Sequence, residues 1–356
     1  MKAVRLHGSR DLRMEDIDDP PKPGPGEATI EIHAVGICGS DLHMYNTGTI
    51  GNLQASAPLV LGHEFMGLVR HIGENAIDGI GNTLTPGMRV AVDPACPCGS
   101  CELCLAGHPN LCPEHDFMGV FPTNGALCER ITVPTNNCFV LPGEISEPAG
   151  ALLETLGVAL HAVDLAKLKP GDTAAVIGCG PVGLLIVRLL ALAGVGPIFA
   201  FDKFPWRSGV AKNWGACNPH SESPLASATE VLRATSGRGV DVVFEAAWAD
   251  ESIQQAAEMV RYGGRLVLVG IPPDDRLCLQ HATARRKGLT IRLSRRMKHT
   301  YPRAIDLAGG SKPQVDLDGL ATHRFALHET RNAFESNIRY DPGLCKAVVF
   351  PARISV

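Results

Sequence analysis

No apolar run in this 356-residue chain approaches the roughly 20 uninterrupted residues that a helix needs to cross a bilayer. The stretch VIGCGPVGLLIVRLLALAGV comes closest, but it contains Arg188, Pro181 and four glycines, so no membrane partner is expected. An excess of positive charge is also missing. The net charge is -4, the isoelectric point is near 6.3, and no basic tail is present, which weighs against nucleic acid as a partner. The first residues, MKAVRLHGSRDLRMEDIDDPPKP, are charged and contain no apolar segment of signal type, so the expected location is the reducing cytoplasm. There is no internal repeat and no low-complexity tract. The 38 glycines and 26 prolines are scattered through the chain and read as turns between many short elements.

The length exceeds what one hydrophobic core comfortably serves, so two lobes are expected. Up to about Gly143 the segments ATIEIHAVGI, GLVRHIG, RVAVDP and ERITVP are short, β-like and punctuated by Pro, Gly and Asn, which predicts a barrel-like or sandwich-like lobe. A helical pattern then runs through ISEPAGALLETLGVALHAVDLAKLKPG. After it the apolar runs TAAVIG, IFAFD, DVVFEAA and RLVLVG alternate with helical stretches, the signature of parallel strands joined by crossover helices. From about Leu289 the text returns to β-like segments around one helical piece. The expected division is therefore 1–155, 156–288 and a return segment 289–356 that completes the first lobe.

Cys98, Cys101, Cys104 and Cys112, in CGSCELCLAGHPNLC, stand at the x2, x2, x7 rhythm that brings four thiolates around one tetrahedral ion, most commonly zinc. With all four positions taken by protein, such a metal holds a lobe together and leaves no open position for chemistry. Disulfide pairing is the alternative, disfavoured by the expected compartment. Cys96 offers a fifth thiol that could exchange with Cys98.

In VIGCGPVG, Gly178, Gly180 and Gly183 follow a strand and open an apolar helix, with Pro181 and Val182 at its first turn. Glycines serve there for the tight turn, for close approach of backbone to a pyrophosphate, and for packing of helix on strand. Asp202, at the end of IFAFD, is placed to accept hydrogen bonds from ribose hydroxyls, which favours NAD over NADP; Lys203 and Arg207 temper that preference. Gly270, in LVLVGIP, either ends a strand beside the nicotinamide or is a plain turn glycine.

Cys38 in AVGICGSDLH, with His63 and Glu64 in LVLGHE, supplies a thiolate, an imidazole and a carboxylate, the mixed set of a zinc that keeps one position open. Each alone is weak evidence. Together with the cysteine run, GCGPVG and the terminal THRFAL, they fall in an order that resembles the zinc-containing medium-chain alcohol dehydrogenases over almost the whole length. GTIGNLQASAPLVLGHE, FMGVFPTNGALCE, ALLETLGVALHA and HTYPRAIDLAGG are similar to the sorbitol and xylitol branch.

The resemblance implies a GroES-like β-rich catalytic domain and a Rossmann domain with a doubly wound parallel sheet. It implies two zinc ions per chain: a catalytic one on Cys38, His63 and Glu64, with Glu154 near the fourth position directly or through water, and a structural one on the four-cysteine run. Ser40 and His43 match a proton relay, and Phe117 and Arg296 match substrate contacts. The implied reaction is transfer of a hydride from a secondary alcohol of a polyol or sugar-derived substrate to NAD, giving a ketone. A homo-oligomer, dimer or tetramer, is implied as well. The rival readings are a threonine-type, simple alcohol or aldose dehydrogenase of the same superfamily, and a catalytically inactive binding protein on this scaffold. Met44 in place of an aromatic, Thr155 in place of proline, and the longer connection GENAIDGIGNTLTPG depart from the branch and are expected to reshape the pocket mouth.

Overall fold

A computed structural model describes residues 1–50, 53–217, 224–247, 249–272 and 276–352. Gly51 and Asn52 of the polyol-like stretch GTIGNLQ lie outside the described residues. The chain divides into two compact units, Met1–Thr155 with Lys298–Val356, and Leu156–Met297.

The first unit is built on a seven-stranded sheet. Its central strand, Glu27–Gly36, is flanked by Glu64–Ile72 on one side and Ala347–Phe350 on the other, and it also pairs with Arg130–Pro134. Ile30, Ile32, Val35, Phe65, Val90, Val92 and Val349 fill the core beneath it. The C-terminal segment does fold back onto this lobe. Strand His323–Ala326, helix Thr330–Arg339 and strand Ala347–Phe350 form a parallel crossover whose last strand sets Val348 against Gly36. HTYPRAIDLAGG forms a further helix, Tyr301–Ala308, absent from the β-like expectation for the tail.

In the second unit, strands Ile198–Phe201, Ala174–Ile177, Val240–Glu245, Val260–Leu268 and Thr290–Leu293 lie side by side in that order, all parallel. Every residue of the first three is buried, because helices cover both faces, and an unbroken apolar run satisfies that environment where an alternating one would not. The chain leaves Ala174–Ile177 toward one side and returns to its other side at Val240–Glu245, which makes the carboxyl ends of these two strands the switch point of the sheet. LTIRLS provides the edge strand Thr290–Leu293, and so this unit runs to Met297 instead of ending at 288.

Candidate active site

Cys38 is the N-cap of helix Gly39–Thr47, whose third residue, Asp41, accepts the Cys38 backbone N–H at 3.0 Å. Gly62, with φ of 94°, turns the chain into His63 and donates its N–H to Asp41 at 3.3 Å. Asp41 thus ties the Cys38 loop to the His63 loop. Its other contact, 3.3 Å from Oδ1 to His63 Nδ1, is an ion-pair separation that orients the ring and leaves Nε2 facing Ser40 Oγ at 3.4 Å. The metal-capable atoms of Cys38, His63 and Glu64 all lie within 4.8 Å of one another.

Burial shapes the charges here. It opposes ionisation of Asp41, yet His63 and the two N–H donors outweigh it and hold the carboxyl below its ordinary value. His63 is pushed well above its own: burial works against its charge, and Asp41 and Cys38 favour it more strongly. Glu154, on helix Leu153–Ala166 and 4% exposed, is raised to about 8 by burial, with Glu64 adding to the effect and His63 and Lys346 opposing it. Glu154 is not part of the three-residue donor group.

The donor set suits zinc on two observations. A thiol, an imidazole and a carboxylate converge in a buried place, and no described residue offers a hydrogen bond to Oε2 of Glu64, an uncompensated acceptor that a cation would satisfy. The ring of Phe117 lies 5.3 Å from that of His63. Ser40 and His43 lie one helical turn apart on the same helix, both partly buried, and burial lowers His43. Arg296 belongs to the second unit, at φ of 56°. Met44 is a core residue, 2% exposed, so the loss of an aromatic there alters packing beneath the helix. Thr155 is buried too, its hydroxyl without a hydrogen-bond partner among the described residues. The longer connection closes on itself through Asp78, which accepts N–H bonds from Ile80 and Asn82 at 3.0 and 2.7 Å.

Three residues that sequence reasoning passed over complete the site. Asp41 stood within the quoted CGSDLH, and its position three residues after Cys38 marks a helix-capping carboxylate. Lys346 donates to Glu64 Oε1 at 2.5 Å from complete burial; a lone cation opening the apolar strand AVVF was the available signal. Gly36 left no signal beyond its pairing with Glu64.

The four sulfurs of Cys98, Cys101, Cys104 and Cys112 form a second group. Cys112 Sγ lies 3.5 Å from Cys98 Sγ and 3.8 Å from Cys101 Sγ. Zinc–sulfur bonds of about 2.3 Å at tetrahedral angles place sulfurs roughly 3.8 Å apart, whereas a disulfide requires about 2.05 Å. The backbone N–H groups of Cys98, Cys101 and Cys104 donate to sulfurs of the group at 3.3 to 3.5 Å, and amide bonds from Ser100 and Cys101 hold the Cys98 thiol down to about 6. Cys96 lies outside this group. Burial pushes it to about 11, and Asn137 Nδ2 donates to its sulfur at 3.6 Å.

In the second unit, Gly178 leaves strand Ala174–Ile177 at φ of 92°, where a Cβ would strike the Ala246 carbonyl at 2.7 Å. Gly183 packs so closely that a Cβ would lie 1.8 Å from Gly178 O. Gly180 caps helix Pro181–Leu192, with Pro181 at its first position and Val182 following. Both oxygens of Asp202 are engaged, accepting from Cys179 N at 2.8 Å and Phe204 N at 2.9 Å, so it braces the glycine turn from the next strand. Lys203 and Arg207 lie 5.0 and 5.4 Å from the Phe204 ring. Gly270 donates its N–H to Glu245 O at 3.0 Å, continuing the line of strand Val260–Leu268. A glycine turn opening a helix, beside a switch point, is a cradle that fits a dinucleotide pyrophosphate.

The family model of the alcohol dehydrogenase GroES-like domain matches residues 24–143, and that of the zinc-binding dehydrogenases matches residues 181–309. A sorbitol dehydrogenase of Bacillus subtilis is 35% identical, the match covering 99% of this chain and 98% of the relative. A probable D-xylulose reductase A of Aspergillus clavatus is 34% identical over 93% and 91%. A putative zinc-binding dehydrogenase of Sinorhizobium meliloti, solved bound to NADP, superposes with a TM-score of 0.85 at 29% identity, covering 98% of this chain and 99% of that one. The chain belongs to the zinc-containing medium-chain alcohol dehydrogenases and is an oxidoreductase acting on a small molecule. Among the described residues no helix is long and apolar enough to cross a membrane.

Proposed function

We propose that this protein oxidises a secondary hydroxyl of a polyol or sugar-derived alcohol to a ketone, with zinc at Cys38, His63 and Glu64 and NAD as hydride acceptor. The buried convergence of those three donors carries the reading. When bound, zinc supplies Lewis-acid polarisation of the substrate hydroxyl, and the nicotinamide supplies the hydride acceptor.

The chain's own residues do the rest. Asp41, 3.3 Å from His63 Nδ1, favours the ring orientation that turns Nε2 toward the metal. Ser40 Oγ, 3.4 Å from Nε2, stands where a substrate hydroxyl would give up its proton, and His43 lies one turn further to take it on. Phe117 excludes water from one side of the imidazole. Glu154, raised to about 8 by burial, would approach the fourth position directly or through a water. Arg296 is assigned to substrate recognition on the family likeness alone.

Asp202 supports NAD, while the NADP-bound relative keeps the phosphorylated cofactor as the alternative. The four-sulfur group takes the second zinc. We read the protein as cytoplasmic, and the family likeness supports a dimer or tetramer, to be checked by light scattering.

The deciding experiment follows NADH formation over sugar alcohols, aldoses, simple alcohols and L-threonine, with and without prior chelation. Polyols should be oxidised fastest and chelation should abolish turnover. Ethanol or threonine outpacing every polyol would overturn the substrate assignment, and full activity after removal of both metals would overturn the mechanism.

A further inference from the structure

Glu64 and Lys346 meet across a strand that lies between them. Glu64 opens strand Glu64–Ile72, Lys346 immediately precedes strand Ala347–Phe350, and both strands pair with opposite sides of Glu27–Gly36. The residue of that middle strand beside Glu64 is Gly36, which is also the register partner of Val348. A Cβ on Gly36 would lie 2.1 Å from Glu64 Oε2, so the carboxylate passes over the bare backbone of the middle strand to reach Lys346 Nζ at 2.5 Å. The side chains of both charged residues are almost completely buried, 1% exposed for Glu64 and 4% for Lys346.

A buried ion pair is not retained for stability alone, since an apolar pair of similar volume commonly serves as well. Here one partner is a member of the metal-donor group, and the pairing engages Oε1 while no described residue gives Oε2 a hydrogen bond. We propose that Lys346 is a positioning residue for the metal: by clamping Glu64 across Gly36 it fixes the direction of the carboxylate, so that retention of the zinc depends on docking of the C-terminal return segment. This rests on the assignment of Cys38, His63 and Glu64 as a zinc site.

The test uses the full-length zinc-loaded protein and measures metal per chain and its rate of release to a chelator, with no assay of turnover. Wild-type protein should hold two zincs. K346M should lose one of them roughly tenfold or more faster, the range in which partners of metal ligands act, while the four-cysteine zinc leaves at the wild-type rate. K346R, which restores a donor and a charge, should recover most of the retention. Folded K346M with unchanged release overturns the proposal. If K346M does not fold, K346Q and K346R decide by the same measurement, and retention that fails to rank Arg above Gln overturns it. Wild-type protein holding zinc only at the four cysteines defeats the site assignment itself, an outcome distinct from two zincs retained regardless of residue 346.

Discussion

The Asp41 carboxylate stands 3.3 Å from His63 Nδ1 and accepts the backbone N–H of Cys38 at 3.0 Å, so one buried side chain touches two residues of the metal-capable group that are 25 positions apart in sequence. Asp41→Asn keeps the volume and one acceptor oxygen but removes the charge that orients the imidazole. Zinc affinity at this site should fall about 10- to 100-fold, measured by competition with a chromogenic chelator. Affinity within a factor of two of wild type would mean that His63 is held by packing alone.

Gly36 makes the sharpest steric prediction. The methyl of Gly36→Ala would sit 2.1 Å from Glu64 Oε2 and 3.0 Å from Leu152 Cδ2, forcing the carboxylate aside. Overpacking of this kind costs about 1–3 kcal/mol, and metal retention should fall with it. Gly8→Ala, where nothing lies within 4 Å, is the control and should leave both thermal midpoint and zinc content unchanged. Equal behaviour of the two variants would show that the strand has room for Glu64 to move.

The alternation of grammar along the chain, short punctuated strands followed by buried apolar runs joined by helices, was enough to separate the two units, because each pattern answers to a different solvent exposure of its sheet. GxGxxG followed by Asp202 was legible for the same reason: steric needs at Gly178 and Gly183 leave no other residue type. What stayed hidden was pairing at long sequence range. Lys346 meets Glu64 across 282 positions, and nothing local distinguishes it from a surface lysine. Thr290–Leu293 was read with the tail because an edge strand of a parallel sheet, exposed at both ends, looks like any short strand until its neighbour is known.

Asp241 joins two central strands of the second unit, accepting from Thr173 N at 3.0 Å and Thr173 Oγ1 at 2.8 Å and pairing with Arg238 and Arg261. Burial, the largest influence on its carboxyl, works against ionisation, but the two guanidiniums and Thr173 outweigh it and hold the group below its ordinary value of 3.8. A carboxyl depressed by folding contributes stability that is fully present above its unfolded value and is lost as pH falls through the folded one. Asp241→Asn should therefore destabilise by about 1–3 kcal/mol at pH 7, and the gap should narrow once the pH drops below roughly 4. Urea titrations of both proteins at several pH values measure it; a gap independent of pH would assign the effect to hydrogen bonding without charge.

The four-cysteine group predicts a second, separable metal. Replacing Cys101 by Ser removes one sulfur from the set and one acceptor of the Cys104 N–H, leaving residues 98–112 without the proposed crosslinking ion. Loss of a structural metal belongs among the largest single-residue effects, above about 4 kcal/mol, so the thermal midpoint should fall steeply and one zinc per chain should disappear. An unchanged midpoint would leave the loop held by its own hydrogen bonds.

Asp202 carries two roles that one substitution can divide. Its carboxylate accepts the N–H groups of Cys179 and Phe204, and lone pairs beyond those bonds remain for ribose hydroxyls. Asp202→Asn keeps the shape and one of the two acceptor oxygens, losing the charge that would repel a 2′-phosphate and setting its NH2 against one of the two backbone N–H groups; Asp202→Ala loses both acceptors. A hydrogen bond to a charged group is worth about 1.5–3 kcal/mol, so KM for NAD should rise roughly 10- to 150-fold in the alanine variant. In the asparagine variant the ratio of kcat/KM for NADP over NAD should rise, with the thermal midpoint between those of wild type and the alanine variant. If the alanine variant loses stability while neither variant alters cofactor preference, Asp202 serves the glycine turn only, and selection between the two cofactors must reside in Lys203 and Arg207.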